Sequence, residues 1–144
     1  MGNLDAHKDW GHVLDYVQMM WLSLQAEEPE DWVIATGEAT TVRQLVTMSF
    51  AQIGVDIYFK GSGVYEIGMV GHCTNKKYQF PEGTVVLCVD AKYYNPYQAD
   101  PGVGNATKAR EKLGWTPQYG LDQMVHEAIE ENINSIKRDR ALRV

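Results

Sequence analysis

The chain has 144 residues, of which 44% are hydrophobic and 22% are charged, a composition that fits one compact domain. Its formal net charge of −6 lacks the basic excess needed to bind nucleic-acid phosphates, and no segment approaches the roughly 20 apolar residues that span a bilayer. We therefore expect a single domain over residues 1–144 that resides in the cytoplasm and binds neither nucleic acid nor a membrane.

The first part of the chain predicts two helices and two strands. Apolar residues recur with the spacing of a helix that buries one face. They are Val13, Leu14, Val17, Met20, Trp21 and Leu24. A short apolar run, Trp32 to Ala35, predicts a strand. Thr40 or Thr41 offers an N-cap hydroxyl to a second helix, and residues 55–60 alternate as a strand does.

The next part predicts a loop, a strand and a short helix. Residues 61–83 are rich in glycine, polar residues and aromatics without a clear period, which is typical of a mobile loop. Thr84 to Val89 is largely β-branched and predicts a strand. A short helix is expected from Ala106 to Leu113, with Asn105 as its cap and Gly114 at its end.

A last helix is predicted from Leu121, with one apolar face and basic residues near its end. The residues of that face are Leu121, Met124, Val125, Ala128, Ile129, Ile133 and Ile136. The order of elements predicts a mixed α/β fold, rich in helix, with a few short strands. Because the strands do not form repeated βαβ units, a self-contained doubly wound domain is disfavoured.

Two patterns that suggest cofactors fail on their spacing. A dinucleotide-binding turn needs Gly-x-Gly-x-x-Gly between a strand and a helix, and the segment 61–66, Gly-Ser-Gly-Val-Tyr-Glu, lacks the third glycine. The candidate zinc ligands do not follow a paired-ligand motif. They are His7, His12, His72 and Cys73. We expect no cofactor and no metal in this chain, and reduced thiols at Cys73 and Cys88.

The aromatic residues divide into two groups. The four tryptophans fit helical or strand spacing and are expected in the core. The segment 93–98, Tyr-Tyr-Asn-Pro-Tyr-Gln, is aromatic, polar and aperiodic at once, which is typical of a loop that contacts a ligand.

Several segments together resemble one family. Residues 2–12 read Gly-Asn-Leu-Asp-Ala-His-Lys-Asp-Trp-Gly-His. Further matching segments are 15–17 (Asp-Tyr-Val), 28–37, 89–96, 107–109 and 113–115, with Pro117. With these segments the chain resembles the GDP-mannose 4,6-dehydratases, a branch of the extended short-chain dehydrogenase/reductases. The resemblance covers nearly the whole chain and is weakest between residues 61 and 83.

The resemblance implies the C-terminal, substrate-binding portion of such an enzyme without its Rossmann half. The family consists of NADP-dependent lyases, and its glycine-rich turn, its Tyr-x-x-x-Lys pair and its other catalytic residues belong to the N-terminal portion. It therefore implies no catalytic and no cofactor-binding residue in this chain. It is compatible with a separate N-terminal chain that contains the Rossmann portion. The wide apolar stripes of the first and last helices also predict that the chain self-associates or needs a partner.

Three substrate-binding positions follow from the resemblance. Lys8 and Asn95 stand where the family has arginines suited to the nucleotide phosphates, and Gln98 stands where it has a glutamate that bonds ribose hydroxyls. Lysine keeps the charge of arginine but loses its fork of donors, and asparagine loses both. The resemblance therefore implies that GDP-mannose or a related GDP-sugar binds weakly.

Three functional hypotheses remain open from the sequence. The first is a detached substrate-binding portion that contributes GDP-sugar binding but no catalysis. The second is a non-catalytic binding or structural module that has lost sugar-nucleotide recognition. The third is an excerpt of a complete, active GDP-mannose 4,6-dehydratase.

Overall fold

The computed structural model of the chain describes residues 1–97 and 102–142. Its elements, in order, are β1 (His7–Asp9), α1 (Val13–Ser23), β2 (Ala39–Thr41), α2 (Val42–Ala51), β3 (Val55–Lys60), β4 (Ile67–Cys73), β5 (Val85–Cys88), α3 (Thr107–Leu113) and α4 (Leu121–Ala141). One turn of 3-10 helix, Gly63–Tyr65, precedes β4. The predicted mixed α/β class with helices and a few short strands is confirmed. No helix of the described residues is long and apolar enough to cross a membrane.

The chain forms two compact units. The first consists of the described residues within Met1–Ala6, Thr41–Gln98 and Val125–Val144, and the second of those within His7–Thr40 and Ala99–Met124. Each unit is therefore built from segments that are distant in sequence. The expectation of one domain over residues 1–144 stays a prediction.

The first unit is built around an antiparallel sheet in the order β3-β4-β5. Val55 pairs with Cys73 and Lys60 with Ile67 along the first two strands, and Ile67 also faces Cys88 of β5. Its fully buried side chains are apolar ones from the chain start and from two strands. They are Leu4, Val55 and Val70.

Helix α2 begins with a capping box. The Thr41 hydroxyl accepts the backbone N–H of Gln44 at 3.1 Å, and the Gln44 side chain accepts the backbone N–H of Thr41 at 2.9 Å. Two N–H groups that a helix start leaves unpaired are thereby satisfied. The predicted N-cap at Thr41 is confirmed.

The second unit has its core between α1, α3 and the segment that follows α3. The buried cluster consists of Met19, Ala106, Ala109 and Trp115. Partly buried Leu22, Trp32, Ile34 and Leu113 pack against it. Ala109 and Met19 are fully buried, and the Trp115 indole ring is 2% exposed. The core of this unit therefore combines a small side chain, a flexible one and one large ring.

Two predicted details of α3 differ. The N-cap position is Ala106 rather than Asn105, although the Asn105 side chain still accepts the backbone N–H of Thr107 at 3.0 Å. Gly114 ends the helix in the left-handed conformation, with φ of 64°, as its position predicts.

Two predicted segments are wrong. Trp32 to Ala35 forms no strand in the structure. Trp32 and Ile34 pack against the core cluster, whereas Val33 is 49% exposed. Residues 61–83 are not all loop, because β4 lies within them. A Cβ atom on Gly68 would lie 3.2 Å from the Leu87 Cβ, so glycine serves close strand packing there.

The predicted buried face of α1 is also wrong. Its six apolar residues are between 51% and 81% exposed, and Trp21, expected in the core, is 60% exposed. The buried side of the helix contains Asp15 and Met19 instead. On α4 only Val125 of the predicted face is buried, and Ile136 is 54% exposed. The spacing of apolar residues located both helices. It gave the wrong side for α1, whereas on α4 the buried Val125 and the half-buried Leu121, Met124, Ile129 and Ile133 all belong to the predicted face.

Candidate functional site

The loop after β5 in the first unit contains Asn95, one of the predicted substrate-binding residues. Asn95 is exposed, and its side-chain carbonyl accepts the backbone N–H of Tyr97 at 2.9 Å. Asp90 accepts the backbone N–H of Lys92 in the same way at 2.9 Å. Two side chains thus fold the loop into consecutive turns. The Asn95 side-chain oxygen is therefore occupied by a hydrogen bond within the loop.

The chain start holds this loop from one side. The Asp90 backbone N–H donates to the Met1 carbonyl at 2.8 Å, and the Asn3 side-chain amide donates to the Asn95 carbonyl at 3.2 Å. Between these contacts, a Cβ atom on Gly2 would lie 2.6 Å from the Tyr93 carbonyl oxygen. Only glycine permits so close a backbone approach. Asn3 is therefore a positioning residue for the loop that the sequence did not identify.

The loop presents aromatic rings and one cation to solvent. Tyr93 is 63% exposed and Tyr97 is 87% exposed. The Lys92 ammonium lies 5.2 Å from the centroid of the Tyr93 ring. Lys92 was missed from the sequence, although a lysine beside two tyrosines in an aperiodic loop was the available signal. A cation and flat apolar rings are the groups that contact a nucleotide phosphate and a base.

Lys8 lies in β1 of the second unit and is exposed. Its backbone forms an isolated parallel bridge with Gly102. Gln98 lies outside the described residues. Since Lys8 and Asn95 belong to different units, the convergence of the three positions on one cleft stays a prediction.

Asp9, next to Lys8, fixes β1 to the segment before β2. Its carboxylate accepts the backbone N–H and the hydroxyl of Thr36 at 3.0 and 2.6 Å, and the backbone N–H of Gly37 at 3.0 Å. Gly37 has φ of 85°, which glycine adopts without strain. A carboxylate with three donors holds the strand that carries Lys8 in place.

A cleft of about 200 Å³ opens beside these residues in the second unit. Its lining is mainly polar and aromatic: Trp10, Thr36, Glu38, Thr40, Pro117, Gln118, Tyr119, Gly120 and Leu121. The Trp10 indole N–H donates to the Thr40 carbonyl at 3.2 Å. The Tyr119 ring stacks on His12, with centroids 4.4 Å apart. The cleft therefore has fixed aromatic walls.

Asp15 supports one wall of this cleft from inside the unit. It is 1% exposed, and its carboxylate accepts the backbone N–H groups of Gln118 and Tyr119 at 2.9 and 3.2 Å. Burial raises the pKa of the neighbouring Tyr16, and the charges of Asp9 and Asp15 raise it further. A phenol in this position stays protonated and neutral beside two carboxylates.

Arg43 forms the main charged cluster of the first unit. It bonds Asp5 at 2.7 Å and the nearly buried Glu66, and its guanidinium lies 4.6 Å from the centroid of the Phe59 ring. The hydrogen bond to Glu66 raises the pKa of Arg43, followed by the bond to Asp5. The cluster ties the chain start to β3 and β4, so its role is structural.

The expectation of no cofactor and no metal stays a prediction, and the two patterns considered for it lie as follows in the structure. The segment 61–66 continues into a 3-10 turn and then β4, rather than into an α-helix whose N-terminus could meet a pyrophosphate. Among the described residues no three His, Cys, Asp or Glu side chains lie together as metal ligands do. Cys73 and Cys88 are free thiols, as predicted.

Comparisons with known sequences agree on one family. The sequence profile of the family described as GDP-mannose 4,6 dehydratase matches residues 1–128. The chain is 40% identical over 145 aligned residues to the GDP-mannose 4,6-dehydratase of Vibrio cholerae, covering 100% of this chain and 39% of that protein. It is 44% identical over 137 residues to the enzyme of Homo sapiens, covering 95% of this chain and 34% of that protein.

Solved structures share the fold. UDP-glucose 4-epimerase of Thermotoga maritima, solved with UDP-glucose, matches with a TM-score of 0.60 at 22% identity, over 94% of this chain and 34% of that one. RMD of Pseudomonas aeruginosa, complexed with NADPH, matches with a TM-score of 0.57 at 14% identity, over 90% and 34% of the two chains. At such identities the likeness concerns the fold alone. The chain spans little more than a third of the length of these relatives.

Proposed function

Because this chain belongs to the GDP-mannose 4,6-dehydratase family, we propose that it is a substrate-binding portion that contributes GDP-sugar binding and no catalysis on its own. The observation that carries the proposal is the loop from Asp90 to Tyr97. Asn3 holds its backbone in place at Asn95, while two tyrosines and Lys92 stay exposed. A loop that is braced internally and presents these groups outward is suited to a nucleotide.

Each proposed contact has a separate chemical role. In the loop of the first unit, Lys92 supplies positive charge to the diphosphate, as a point charge rather than as the bidentate fork of arginine. Tyr93 offers a flat ring on which the guanine base stacks. Gln98 accepts a hydrogen bond from a ribose hydroxyl. Asn95 adds no charge, and its side-chain oxygen already bonds Tyr97. Together these contacts give weak binding of the GDP-sugar.

The dehydratase reaction needs groups from outside these residues in this proposal. NADP and the residues that move hydride and protons are supplied by a further portion of polypeptide, in the same chain or in a separate one. The lyase activity is then a property of the assembled protein. An excerpt of a complete enzyme fits this account equally well.

The second candidate, a module that has lost sugar-nucleotide recognition, is favoured by one specific observation. The Asn95 side-chain oxygen accepts a hydrogen bond from Tyr97 within the loop. Asn95 also provides no positive charge at the position where the family has an arginine. Under that hypothesis the loop keeps its shape while GDP-sugar binding is absent.

The experiment is titration of the purified chain with GDP-mannose, GDP and NADP by isothermal calorimetry. We expect GDP and GDP-mannose to bind with similar, weak affinity, because the nucleotide carries the contacts, and NADP not to bind. Lys92→Ala should weaken GDP binding about tenfold, the effect of one charged contact of about 1.4 kcal/mol.

Lys60→Ala is the matched control, since Lys60 is an equally exposed lysine at the end of β3. If both variants lost the same affinity for GDP, the effect would come from the change in net charge and not from a contact of Lys92. No heat with GDP or GDP-mannose at millimolar concentration would favour the module that has lost recognition.

A further inference from the structure

The first unit contains a cleft that the nucleotide loop does not line. It is formed by α4, by the residues that follow α2 and by the loop that joins β4 to β5. Its volume is about 310 Å³, a size at which clefts bind small molecules. The apolar part of its lining consists of the half-buried Ile53, Tyr78, Ile129 and Ile133. This cleft, called the α4 cleft below, therefore offers an apolar surface that is partly open to solvent.

The wall that α4 contributes is one face of the helix. Its lining residues recur at the spacing of three and four positions that places side chains on the same side. They are His126, Ile129, Glu130, Ile133, Asn134 and Lys137. Because a helix rises about 1.5 Å per residue, Glu130 and Lys137 lie about 10 Å apart along the axis. An anionic group in the cleft is therefore attracted toward the Lys137 end.

The wall that the β4–β5 loop contributes is fixed by hydrogen bonds. The Asn75 side-chain amide donates to the Ile53 carbonyl at 2.8 Å, and its oxygen accepts the backbone N–H of Lys77 at 2.8 Å. The Cys73 thiol donates to the Tyr78 carbonyl at 2.9 Å. Lys77 and Tyr78 are therefore held in a preformed loop, which loses little conformational freedom when a ligand binds.

The charge of the α4 cleft identifies its ligand. Among the described residues that line it, Lys77 and Lys137 carry two positive charges and Glu130 carries one negative charge, so the net charge is +1 with His126 neutral. The chain as a whole carries −6, so this cleft is a local exception. A net charge of +1 is balanced by one carboxylate, whereas a phosphate monoester carries about −1.5 to −2 at neutral pH.

We propose that the α4 cleft binds a small organic carboxylate with an apolar body. The two lysine ammonium groups attract the carboxylate, and the isoleucines with the Tyr78 ring cover the body. The site is distinct from the features that this chain shares with its family. Lys77 lies in the stretch where the family resemblance is weakest, and the family profile ends at residue 128, before Ile129. The inference therefore does not depend on the proposed nucleotide binding.

The test uses 4-phenylbutyrate as the probe. The full chain is titrated with it and followed by ¹H–¹⁵N NMR. Two reference compounds separate the contributions, because 4-phenylbutanamide keeps the apolar body without the charge and acetate keeps the charge without the body. We expect a dissociation constant on the order of 1 mM for 4-phenylbutyrate, as is typical of so small a ligand, and at least about tenfold weaker binding of both references. The backbone signals of Asn75 and Ile133 should shift, and that of Tyr93 in the nucleotide loop should not.

Charge variants test the cleft in both directions. Lys77→Gln and Lys137→Gln should each weaken 4-phenylbutyrate binding about fivefold. Glu130→Gln should strengthen it about threefold, because the net charge of the cleft then rises. Lys60→Gln is the matched control, since Lys60 is an exposed lysine of the same unit outside the lining. All four side chains are exposed, so each variant should unfold at the midpoint of the parent.

Equal affinity for 4-phenylbutyrate and its amide would overturn the proposal, because the lysines would then not recognise the ligand. Tighter binding of phenyl phosphate than of 4-phenylbutyrate would overturn the assignment of a carboxylate. A loss in Lys60→Gln as large as that in Lys77→Gln would reduce the effect to the net charge of the chain and would also contradict the site. Titration with GDP tests the nucleotide loop separately, since none of the substituted residues lies in that loop.

Discussion

Trp115 donates its indole N–H to the backbone carbonyl of Asp15 at 3.1 Å, although 100 positions separate them in sequence. The Asp15 carboxylate bonds the segment that follows Trp115, where it accepts hydrogen bonds from the backbone N–H groups of Gln118 and Tyr119. Asp15→Ala leaves both of these donors without their partner. Because Gln118 is exposed and Tyr119 is half-buried, water can replace part of the lost acceptor, and we expect a loss of about 1–2 kcal/mol in the free energy of unfolding, measured with urea.

Asp15→Asn should lose less than the alanine variant, because its amide oxygen still accepts one of the two donors. Asp122→Ala serves as the control, since Asp122 lies exposed in the first turn of α4 and contributes about 0.5 kcal/mol through the helix dipole. An Asp15→Ala variant as stable as this control would contradict the assigned role.

The Arg43 cluster makes a second prediction. The Glu66 side chain is 8% exposed, so Arg43→Met leaves a carboxylate buried without its cation. We expect a loss of about 3 kcal/mol in the free energy of unfolding. Glu66→Gln in the same background should recover at least about 1 kcal/mol, because the uncompensated charge is gone.

Asp5→Asn is the control for that cycle. The Asp5 side chain is 68% exposed, and an exposed ion pair contributes less than about 1 kcal/mol. Additive losses at Arg43 and Glu66 would mean that the two residues stabilise the unit independently.

Tyr16 predicts a dependence of stability on alkaline pH. Its pKa is raised in the folded chain by burial and then by Asp9 and Asp15, above the ordinary value of about 10. Above pH 10 the unfolded chain therefore loses this proton first, so the contribution of Tyr16 to stability is complete below about pH 10 and is lost as pH rises through the folded pKa.

Tyr16→Phe should make the decline of the unfolding free energy above pH 10 less steep. The difference in phenolate absorbance between parent and variant isolates the Tyr16 titration, with N-acetyltyrosinamide as the reference. A midpoint at or below that of the reference compound would show that the phenol is not protected.

The sequence predicted the helix ends that depend on neighbouring residues. The Thr41 hydroxyl and the Gln44 amide lie three positions apart and mark the start of α2, and Gly114 marks the end of α3. The position of β4 was missed because glycine usually weakens a strand. Gly68 is explained by Leu87 and Phe59 on the two neighbouring strands, which leave no room for a side chain. The buried face of α1 was predicted wrongly because the buried side contains a charged residue, Asp15, whose carboxylate bonds the distant Gln118 and Tyr119.

The candidate site was predicted in part for the same reason. Its aromatic loop is visible as a composition change around residue 93, and Asn95 lies within it. Asn3, which holds the Asn95 carbonyl, was not recognised because 92 positions separate the two residues and no local period connects them. Lys92 was not predicted because its contact with the Tyr93 ring exists only in the folded loop.

The final prediction concerns the affinity of the chain for GDP-mannose. Lys8→Arg, Asn95→Arg and Gln98→Glu together restore the residue types that the family resemblance implies at two phosphate contacts and one ribose contact. Charged hydrogen bonds contribute about 1.5–3 kcal/mol each, so a net recovery of about 3 kcal/mol should tighten GDP-mannose binding about 100-fold in calorimetry. Asn95→Arg also removes the acceptor of the Tyr97 N–H, which is exposed and able to bond water, so the cost to the loop is small. Lys60→Arg together with Lys137→Arg controls for added guanidinium groups at positions outside the loop sequence. A triple variant that binds GDP-mannose no better than the parent would mean that Lys8 and the Asn95 loop do not meet the same ligand.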